Sequence, residues 1–167
     1  MVLPPGSEWD GPAVDAAVDG GATRSASVRA GLAALSADLD VIVVHDAARP
    51  LATDDCFVAV IGAVLKGAEA AVPGVAVADT LKRIVGGWVV ETVDRSDLVA
   101  VQTPQAFRAA ALRTAHEHDG DATDDAGLVE QSGGRVAIVA GSPANFKVTT
   151  PHDLVVAEHL LHQGVAP

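Results

Sequence analysis

The sequence has 167 residues, enough for one domain with a buried core and too few for two ordinary domains. Its formal net charge of −11 argues against a nucleic-acid-binding surface, because proteins that follow phosphate backbones carry clustered lysine and arginine. No stretch reaches the roughly 20 continuous apolar residues that a membrane-spanning helix needs, and the N-terminus lacks the basic start and apolar run of a signal peptide.

The predicted elements alternate between strand and helix. Residues 1–6 are typical of the end of a strand, and residues 25–37 of a helix. Residues 41–45 form a short β-branched run that predicts a buried strand. A helix then begins at Thr53, a residue type that caps helix N-termini, and ends near Gly67.

A strand over residues 70–73 completes a strand–helix–strand unit, which predicts a parallel, right-handed crossover. The remaining predicted elements are a helix over 106–118, a helix capped at Thr123 and ending at 133–134, a strand over 135–139 and a helix from Thr150-Pro151. We therefore expect an α/β fold with a mostly parallel sheet, forming one domain over residues 1–167.

One segment departs from this alternation. Residues 81–85 and 88–93 flank Gly86-Gly87, a pair typical of a two-residue β-hairpin turn. An isolated hairpin is only marginally stable in water. We therefore expect this hairpin to lie against something else, and a second subunit is the natural candidate.

The turn after the strand at residues 41–45 carries Asp46 and Arg49. Open α/β sheets bind ligands beyond the carboxyl ends of their strands. There, Asp46 can ligate Mg²⁺ or hold a ribose hydroxyl, and Arg49 can bind a phosphate through two hydrogen bonds. The alternative is an ion pair that only closes the strand end. His45 points to the opposite face, so we expect it to be structural.

A second candidate segment, residues 19–29, combines Gly20-Gly21 with the start of a helix. The glycines permit close approach of a ligand, and the free N–H groups of the helix can bind an anion or a base edge. Ser27 can hydrogen-bond a heterocycle. The alternative is an ordinary loop with Ser25 as the cap.

Three further segments are weaker on their own. Thr80 and Arg95, at the two ends of the hairpin, suit a phosphate, unless the hairpin is simply solvated. Residues 102–108 are typical of a polar strand-to-helix loop. Lys147 can neutralise charge on a phosphorus centre, unless it is an ordinary exposed lysine.

The number of cysteines indicates whether the protein works in a reducing or an oxidising compartment. Cys56 is the single cysteine of the sequence, so no disulfide can form within these residues. We expect a reducing, cytoplasmic environment.

Together, and in this order, these segments resemble the 2-C-methyl-D-erythritol 4-phosphate cytidylyltransferases of the non-mevalonate isoprenoid pathway. The resemblance runs from about Val2 to about Leu161. Its most specific strings are VVHDAARP (43–50), DTLKR (79–83), ETVDR (91–95), QTPQAFR (102–108), TDDAGLVE (123–130) and NFKVTTPHDL (145–154).

The resemblance implies a Rossmann-like nucleotidyltransferase fold. Residues 79–95 would form a protruding arm that reaches across to the partner in a homodimer. The implied reaction joins CTP and methylerythritol phosphate, requires Mg²⁺ and releases diphosphate. Neither a nucleic acid nor a membrane is implied as a partner.

The resemblance also assigns roles to residues by position. The implied nucleotide contacts are Gly21, Ala22, Ser27, Asp46 and Ala47, with Asp46 also at the metal. The implied contacts with methylerythritol phosphate or the reacting phosphorus are Arg49, Thr103, Lys147 and, from the partner's arm, Thr80 and Arg95. Lys147, Asp46 and Arg49 are the implied catalytic residues.

The family pattern also opens with a strand, a glycine-rich loop carrying an arginine, and a lysine, which hold the triphosphate of CTP. The sequence has no counterpart of this part, about one or two β-α units. The resemblance thus implies an N-terminally truncated domain that binds CTP poorly and turns over slowly. A ribitol-phosphate cytidylyltransferase and a non-catalytic, dimeric phosphosugar-binding remnant remain as alternatives.

Overall fold

The computed structural model describes residues 1–117 and 124–162. The helices are α1 (Arg24–Ala33), α2 (Asp54–Leu65), α3 (Ala109–Ala115), α4 (Asp125–Gln131) and α5 (Pro151–His162). The strands are β1 (Val2–Leu3), β2 (Val18–Asp19), β3 (Val41–Val44), β4 (Ala70–Ala76), β5 (Leu81–Val85), β6 (Trp88–Val93), β7 (Val99–Val101), β8 (Gln105–Arg108) and β9 (Val136–Ala140). Among the helices described, none has both the length and the apolar character to span a membrane.

The main sheet is built around β4. One edge of β4 pairs with β8 and, further along, with β7, and the other edge pairs in parallel with β9. β3 pairs with the outer edge of β8. Three of these four pairings are antiparallel, so the expected α/β fold is confirmed and the expected mostly parallel sheet is wrong.

The difference arises at β8. The sequence predicts a loop over residues 102–108 and a helix from Ala106, because the following alanines and leucine suit a helix. Instead, residues 105–108 form a strand between β3 and β4, and α3 begins only at Ala109. β3 and β4 still run in the same direction, as the strand–helix–strand unit predicts, but they are not neighbours.

Alternating side chains of the central strands bury two cores on the two faces of the sheet. Phe107 and Val72 belong to the core shared with α1, α3 and α4, whereas Ala106 and Ala71 belong to the core covered by α2. Ala106 and Phe107 are completely buried. Burial on both faces therefore outweighs local helix propensity over residues 105–108.

Several local predictions are confirmed. Thr53 caps α2 by accepting a hydrogen bond from the Cys56 N–H at 3.3 Å, and Gly67 adopts a φ of +118° just after the helix. α1 is shorter than predicted, and its cap is Thr23 rather than Ser25. The predicted cap Thr123 lies outside the described residues, and Asp124 caps α4 by accepting from the Gly127 N–H.

The hairpin of β5 and β6 is confirmed, with positive φ at both Gly86 and Gly87. In the described part of the chain it forms a sheet of its own. Most of its apolar side chains are exposed to solvent, and 79% of the Trp88 surface is accessible. Much of the apolar surface of the hairpin is therefore uncovered within the described residues.

Helix α5 begins with a dense set of capping hydrogen bonds. The Asp153 carboxylate accepts from the N–H groups of Thr149 and Thr150 at 2.9 and 2.8 Å, and from the Thr149 hydroxyl at 3.0 Å. The Thr150 hydroxyl accepts from the Asp153 N–H at 3.2 Å. The backbone hydrogen bonds from Thr149 and Thr150 lower the pKa of Asp153 to about 2.

We expect Asp153→Asn to destabilise the protein at pH 7, because it removes the charged acceptor that holds the start of α5. The folded-state pKa lies below the ordinary value of 3.8, so this stabilisation is complete above pH 3.8 and declines as the pH falls toward about 2. Urea unfolding at a series of pH values measures the difference from wild type, which should shrink in that window. Glu158→Gln, an exposed change on the same helix, is the control; an equal effect of both variants would contradict the capping role.

Candidate active site

The turn after β3 is fixed to the neighbouring strand segment. The Asp46 N–H donates to the Thr103 hydroxyl at 3.0 Å, and the Arg49 N–H donates to the Asp46 carbonyl at 2.9 Å. Thr103 is buried in the gap between β7 and β8. The antiparallel insertion of β8 therefore supplies the group that holds the Asp46 backbone.

His45 closes the same turn. Its Nδ1 lies 3.0 Å from the Thr103 hydroxyl, and its Nε2 lies 3.1 Å from the Arg49 carbonyl. Because the Thr103 oxygen accepts from Asp46, its own proton can go to Nδ1, and Nε2–H then donates to the carbonyl. Burial lowers the pKa of His45, in keeping with this neutral tautomer. These contacts hold His45 in the turn, but His45 also lines the same groove as Asp46, so its purely structural role stays a prediction.

Lys147 reaches the turn from a segment 101 residues away. Its Nζ lies 2.9 Å from Asp46 Oδ2. Two backbone contacts hold this segment in place: the Val148 N–H donates to the Ala48 carbonyl at 2.8 Å, and Arg49 Nη1 donates to the Asn145 carbonyl at 2.7 Å. Lys147, predicted from a separate motif, thus lies together with Asp46 and its turn.

A buried amide supports this junction. The Asn145 Nδ2 donates to the Thr103 carbonyl at 2.9 Å, and Asn145 is almost fully buried. Gln102 Nε2 donates to the Ser142 carbonyl at 2.8 Å, and the Ser142 N–H donates back to Gln102 Oε1 at 3.2 Å. The segments around residues 102 and 145 are therefore joined by buried hydrogen bonds.

Arg24 is a site residue to which the sequence pattern gives no role of its own. Its Nε lies 3.8 Å from Asp46 Oδ1, and its Nη2 lies 2.8 Å from Asp125 Oδ2. Arg24 is the first residue of α1, where a cation opposes the helix dipole. That unfavourable position is the sequence signal that could identify a nearby carboxylate partner.

The predicted nucleotide residues largely share one groove of about 630 Å³ between the start of α1 and β3. Its lining includes Gly21, Ser27, Asp46 and Ala47, together with Arg24. Ala22 is exposed and is not part of the lining. The structure therefore joins the two segments predicted separately from the Gly20-Gly21 loop and the Asp46 turn.

Within the groove, the loop before α1 is folded tightly on the helix. Ser27 Oγ accepts from the Gly21 N–H at 3.1 Å and lies 3.0 Å from the Thr23 carbonyl. A Cβ on Gly21 would come within 2.4 Å of the Ala26 Cβ. Gly21 is therefore required for the approach of the loop to α1, independently of any ligand.

Thr80 and Arg95 are the predicted residues that do not join the site within the described chain. Both are exposed near the base of the hairpin. Arg95 Nη1 donates to the Val77 carbonyl, which also lies at this base. No described contact connects either residue with Asp46.

The site collects positive charge in an acidic protein. Arg24 and Lys147 lie against the two oxygens of Asp46. Burial lowers the pKa of Arg49, and the Asp46 charge acts in the opposite direction. Two cations thus contact one carboxylate and Arg49 belongs to the same turn, an arrangement that suits a ligand with several negative charges.

A sequence profile of the 2-C-methyl-D-erythritol 4-phosphate cytidylyltransferase family (IspD) matches residues 10–163. The chain belongs to this family. Family membership accounts for the order of the six motifs along the chain. The ribitol-phosphate and non-catalytic alternatives gain no support from the comparison.

Two curated relatives illustrate the similarity to the IspD family. The 2-C-methyl-D-erythritol 4-phosphate cytidylyltransferase of Rhodococcus opacus is 49% identical over 149 residues, covering 88% of this chain and 66% of that protein. The bifunctional enzyme IspD/IspF of Clavibacter michiganensis is 53% identical over 152 residues, covering 87% of this chain and 36% of that protein. The chain thus spans just under two thirds of the first relative and about a third of the second.

Solved structures of the IspD family have the same fold. The crystal structure of the cytidylyltransferase from Thermus thermophilus superposes with a TM-score of 0.85 at 41% identity, covering 96% of this chain and 80% of that chain. The synthase from Anaerococcus prevotii superposes with a TM-score of 0.80 at 31% identity, covering 88% and 70% of the two chains.

The hydrogen bonds of the Thr103 hydroxyl predict how its removal changes the stability of the protein. We expect Thr103→Val, which keeps the side-chain shape, to lower the free energy of unfolding by about 1–3 kcal/mol, because it leaves the Asp46 N–H and His45 Nδ1 without a partner. Thr103→Ser should retain most of the stability. Urea unfolding of the three proteins measures the difference, and equal stability of wild type and Thr103→Val would contradict the bridging role.

Proposed function

We propose that the chain is a cytidylyltransferase that transfers CMP from CTP to 2-C-methyl-D-erythritol 4-phosphate and releases diphosphate, in isoprenoid precursor biosynthesis. Family membership supports the reaction class. The observation that carries the proposal is the 2.9 Å contact between Lys147 and Asp46, beside Arg49, across 101 residues of sequence. Three residues from motifs specific to the family resemblance meet at that point.

The chemistry of nucleotidyl transfer is compatible with Asp46, Arg49 and Lys147 as the groups at the site. The attacking group is a phosphate oxygen that is already ionised at neutral pH, so a strong general base is unnecessary. Catalysis then consists of aligning two anions and spreading the charge that develops on the phosphorus. Lys147 and Arg49 would contact the methylerythritol phosphate or the reacting phosphorus.

The Asp46 carboxylate is also a suitable ligand for Mg²⁺. In residues 1–117 and 124–162, no three His, Cys, Asp or Glu side chains come together as a metal cage. Mg²⁺ is commonly bound by one or two carboxylates plus substrate phosphates, and Asp46 offers one such carboxylate. Bound there, Mg²⁺ would reduce the repulsion between phosphate oxygens. Because Lys147 and Arg24 contact Asp46, they would have to share it with the ion.

On the nucleotide side, we place the cytidine part of CTP in the groove beside α1. Gly21, Ser27, Asp46 and Ala47 all line this groove. Ala22, next to Gly21, is assigned to the cytosine by the family resemblance alone. The Ser27 hydroxyl would contact the base from its present position near the start of α1.

We further propose a homodimer through residues 79–95. The hairpin carries an uncovered apolar surface that includes Trp88 and Val90, and an isolated hairpin needs a packing partner. In such a dimer the partner's Thr80 and the partner's Arg95 would hold the acceptor phosphate. The exposure of both residues in the single chain is compatible with this role.

The unpaired Cys56 thiol favours a cytoplasmic location.

We expect Lys147→Met and Asp46→Asn each to lower kcat/KM for diphosphate release by about 100- to 1000-fold, since each removes charge at the reacting phosphorus or at Mg²⁺. A coupled assay with CTP, Mg²⁺ and methylerythritol phosphate measures the rate. Lys66→Met, an exposed lysine after α2, is the matched control and should retain wild-type kinetics. The sequence also predicts that the 167-residue chain turns over slowly, and the turnover rate of wild type in the same assay tests this prediction.

Two results would contradict the proposed reaction. One is diphosphate release that does not depend on methylerythritol phosphate. The other is a preference for ribitol phosphate when both acceptors compete in one reaction.

Sedimentation velocity tests the dimer. We expect wild type to sediment as a dimer at micromolar concentration, and Trp88→Ser with Val90→Ser to sediment as a monomer, because the substitutions remove apolar area from the arm. Val58→Ser changes an apolar residue of α2 that is 68% exposed and should leave the dimer intact. A monomeric wild type would refute the dimer and, with it, the proposed contacts of the partner's Thr80 and the partner's Arg95 with the acceptor phosphate.

A further inference from the structure

Ionisable side chains form a continuous series of contacts from the site into the protein interior. Lys147 lies 2.9 Å from Asp46, and Arg24 lies 3.8 Å from the other oxygen of the same carboxylate. Arg24 Nη2 in turn lies 2.8 Å from Asp125 Oδ2, and His116 Nε2 lies 2.9 Å from Asp125 Oδ1. Among the described contacts, it is Arg24 that connects Asp125 and His116 to the site.

The inner end of this series of contacts is deeply buried. The Asp125 side chain is 0% exposed and the His116 side chain 2% exposed. Burial raises the pKa of Asp125, but the His116 hydrogen bond and the Arg24 charge together bring it below its ordinary value. Asp125 is therefore ionised at neutral pH, and its charge is balanced by Arg24.

Stability alone does not account for such an arrangement. Removing two charges from water is costly, and well-packed apolar residues in place of a buried ion pair are often equally or more stabilising. A buried carboxylate instead fixes the direction of the cation it binds. The Arg24 side chain is 31% exposed and lines the groove, so it extends from the core to the ligand side.

We infer that Asp125 and His116 are positioning residues, which hold the Arg24 guanidinium against Asp46 and so fix the direction of the Asp46 carboxylate. The inference rests on the proposed function for its catalytic consequence. Lys147 is hydrogen-bonded to one oxygen of Asp46, and Arg24 lies within ion-pair distance of the other, so the carboxylate has a cation on each side before any ligand binds. Preorganisation of this kind lowers the cost of binding CTP with its metal ion.

A purely structural role is the competing explanation. His116 is the residue at the C-terminal end of α3, and Asp125 lies in the first turn of α4, so their hydrogen bond also joins the two helices. That role requires His116 and Asp125 but not Arg24. The two explanations therefore differ in whether Asp125 acts on the site through Arg24.

The first experiment follows the guanidinium directly. In ¹⁵N-labelled protein, the Arg24 Nε–Hε resonance is assigned by its absence from Arg24→Lys, and its ¹⁵N heteronuclear NOE reports local order. We expect a backbone-like NOE in wild type and a clear loss in Asp125→Asn. His116→Gln, whose amide can replace the Nε2 donor, should keep the NOE, whereas His116→Ala should lower it. An unchanged NOE in Asp125→Asn would overturn the inference.

The second experiment is a double-mutant cycle on the dissociation constant of CTP with Mg²⁺. We expect Arg24→Met and Asp125→Asn each to weaken binding about tenfold, and the double variant to bind no more weakly than the weaker single variant. Losses that multiply would show that Asp125 does not act through Arg24. Asp55→Asn, an exposed acid in the first turn of α2, controls for loss of a helix-terminal charge and should bind like wild type.

The two experiments separate the two claims. Weak binding of CTP is what the sequence predicts; if wild type binds no CTP at all, the proposed function fails, and the Arg24 NOE alone decides the positioning role. If wild type binds CTP and the cycle is additive, the positioning role fails and the proposed function stands. Thermal unfolding identifies any variant that does not fold. If Asp125→Asn does not fold, the comparison of the Arg24 NOE between His116→Gln and His116→Ala decides the positioning role.

Discussion

The site depends on one buried hydrogen-bonded junction, in which the Thr103 hydroxyl accepts from the Asp46 backbone while the Asn145 amide donates to the Thr103 carbonyl. This junction joins the turn after β3, the gap between β7 and β8, and the segment before Lys147. Each partner is buried or half-buried, so losing one leaves the others without compensation from water. The positions of the charged groups follow from this junction.

Electrostatics then determines what the site can bind. The protein carries a net charge of −11, yet Arg24 and Lys147 contact Asp46, and Arg49 lies on the same turn. In water-exposed surroundings such pairs contribute little, but a half-buried cluster retains a stronger local potential. The overall negative charge is thus compatible with a local site for phosphorylated ligands. It also disfavours long polyanions such as nucleic acids, which contact a much larger surface.

The sheet and the hairpin are stabilised by different interactions. The sheet is covered by α2 on one face and by α1, α3 and α4 on the other, and its central residues are fully buried. The hairpin has its own turn chemistry but no apolar cover within the described chain. Its local geometry therefore forms from short-range preferences, whereas its packing requires a further surface.

Short-range sequence patterns were sufficient to predict the Thr53 cap, the Gly86-Gly87 turn, the start of α5, and Asp46 and Arg49 on one turn. These features depend on contacts within a few residues, which periodicity and capping rules capture. Together with the family resemblance, they were enough to bring Asp46, Arg49 and Lys147 into one predicted site.

Long-range packing was needed to establish that residues 105–108 form a central antiparallel strand, that Thr103 bridges His45 and Asp46, and that Arg24 lies between Asp46 and Asp125. Local propensity favoured helix at Ala106, but burial on both faces of the sheet outweighed it. The contacts that Asp46 makes with Thr103 and with Lys147 join residues 57 and 101 positions apart. No local pattern encodes such a separation, because it is fixed only when the core closes.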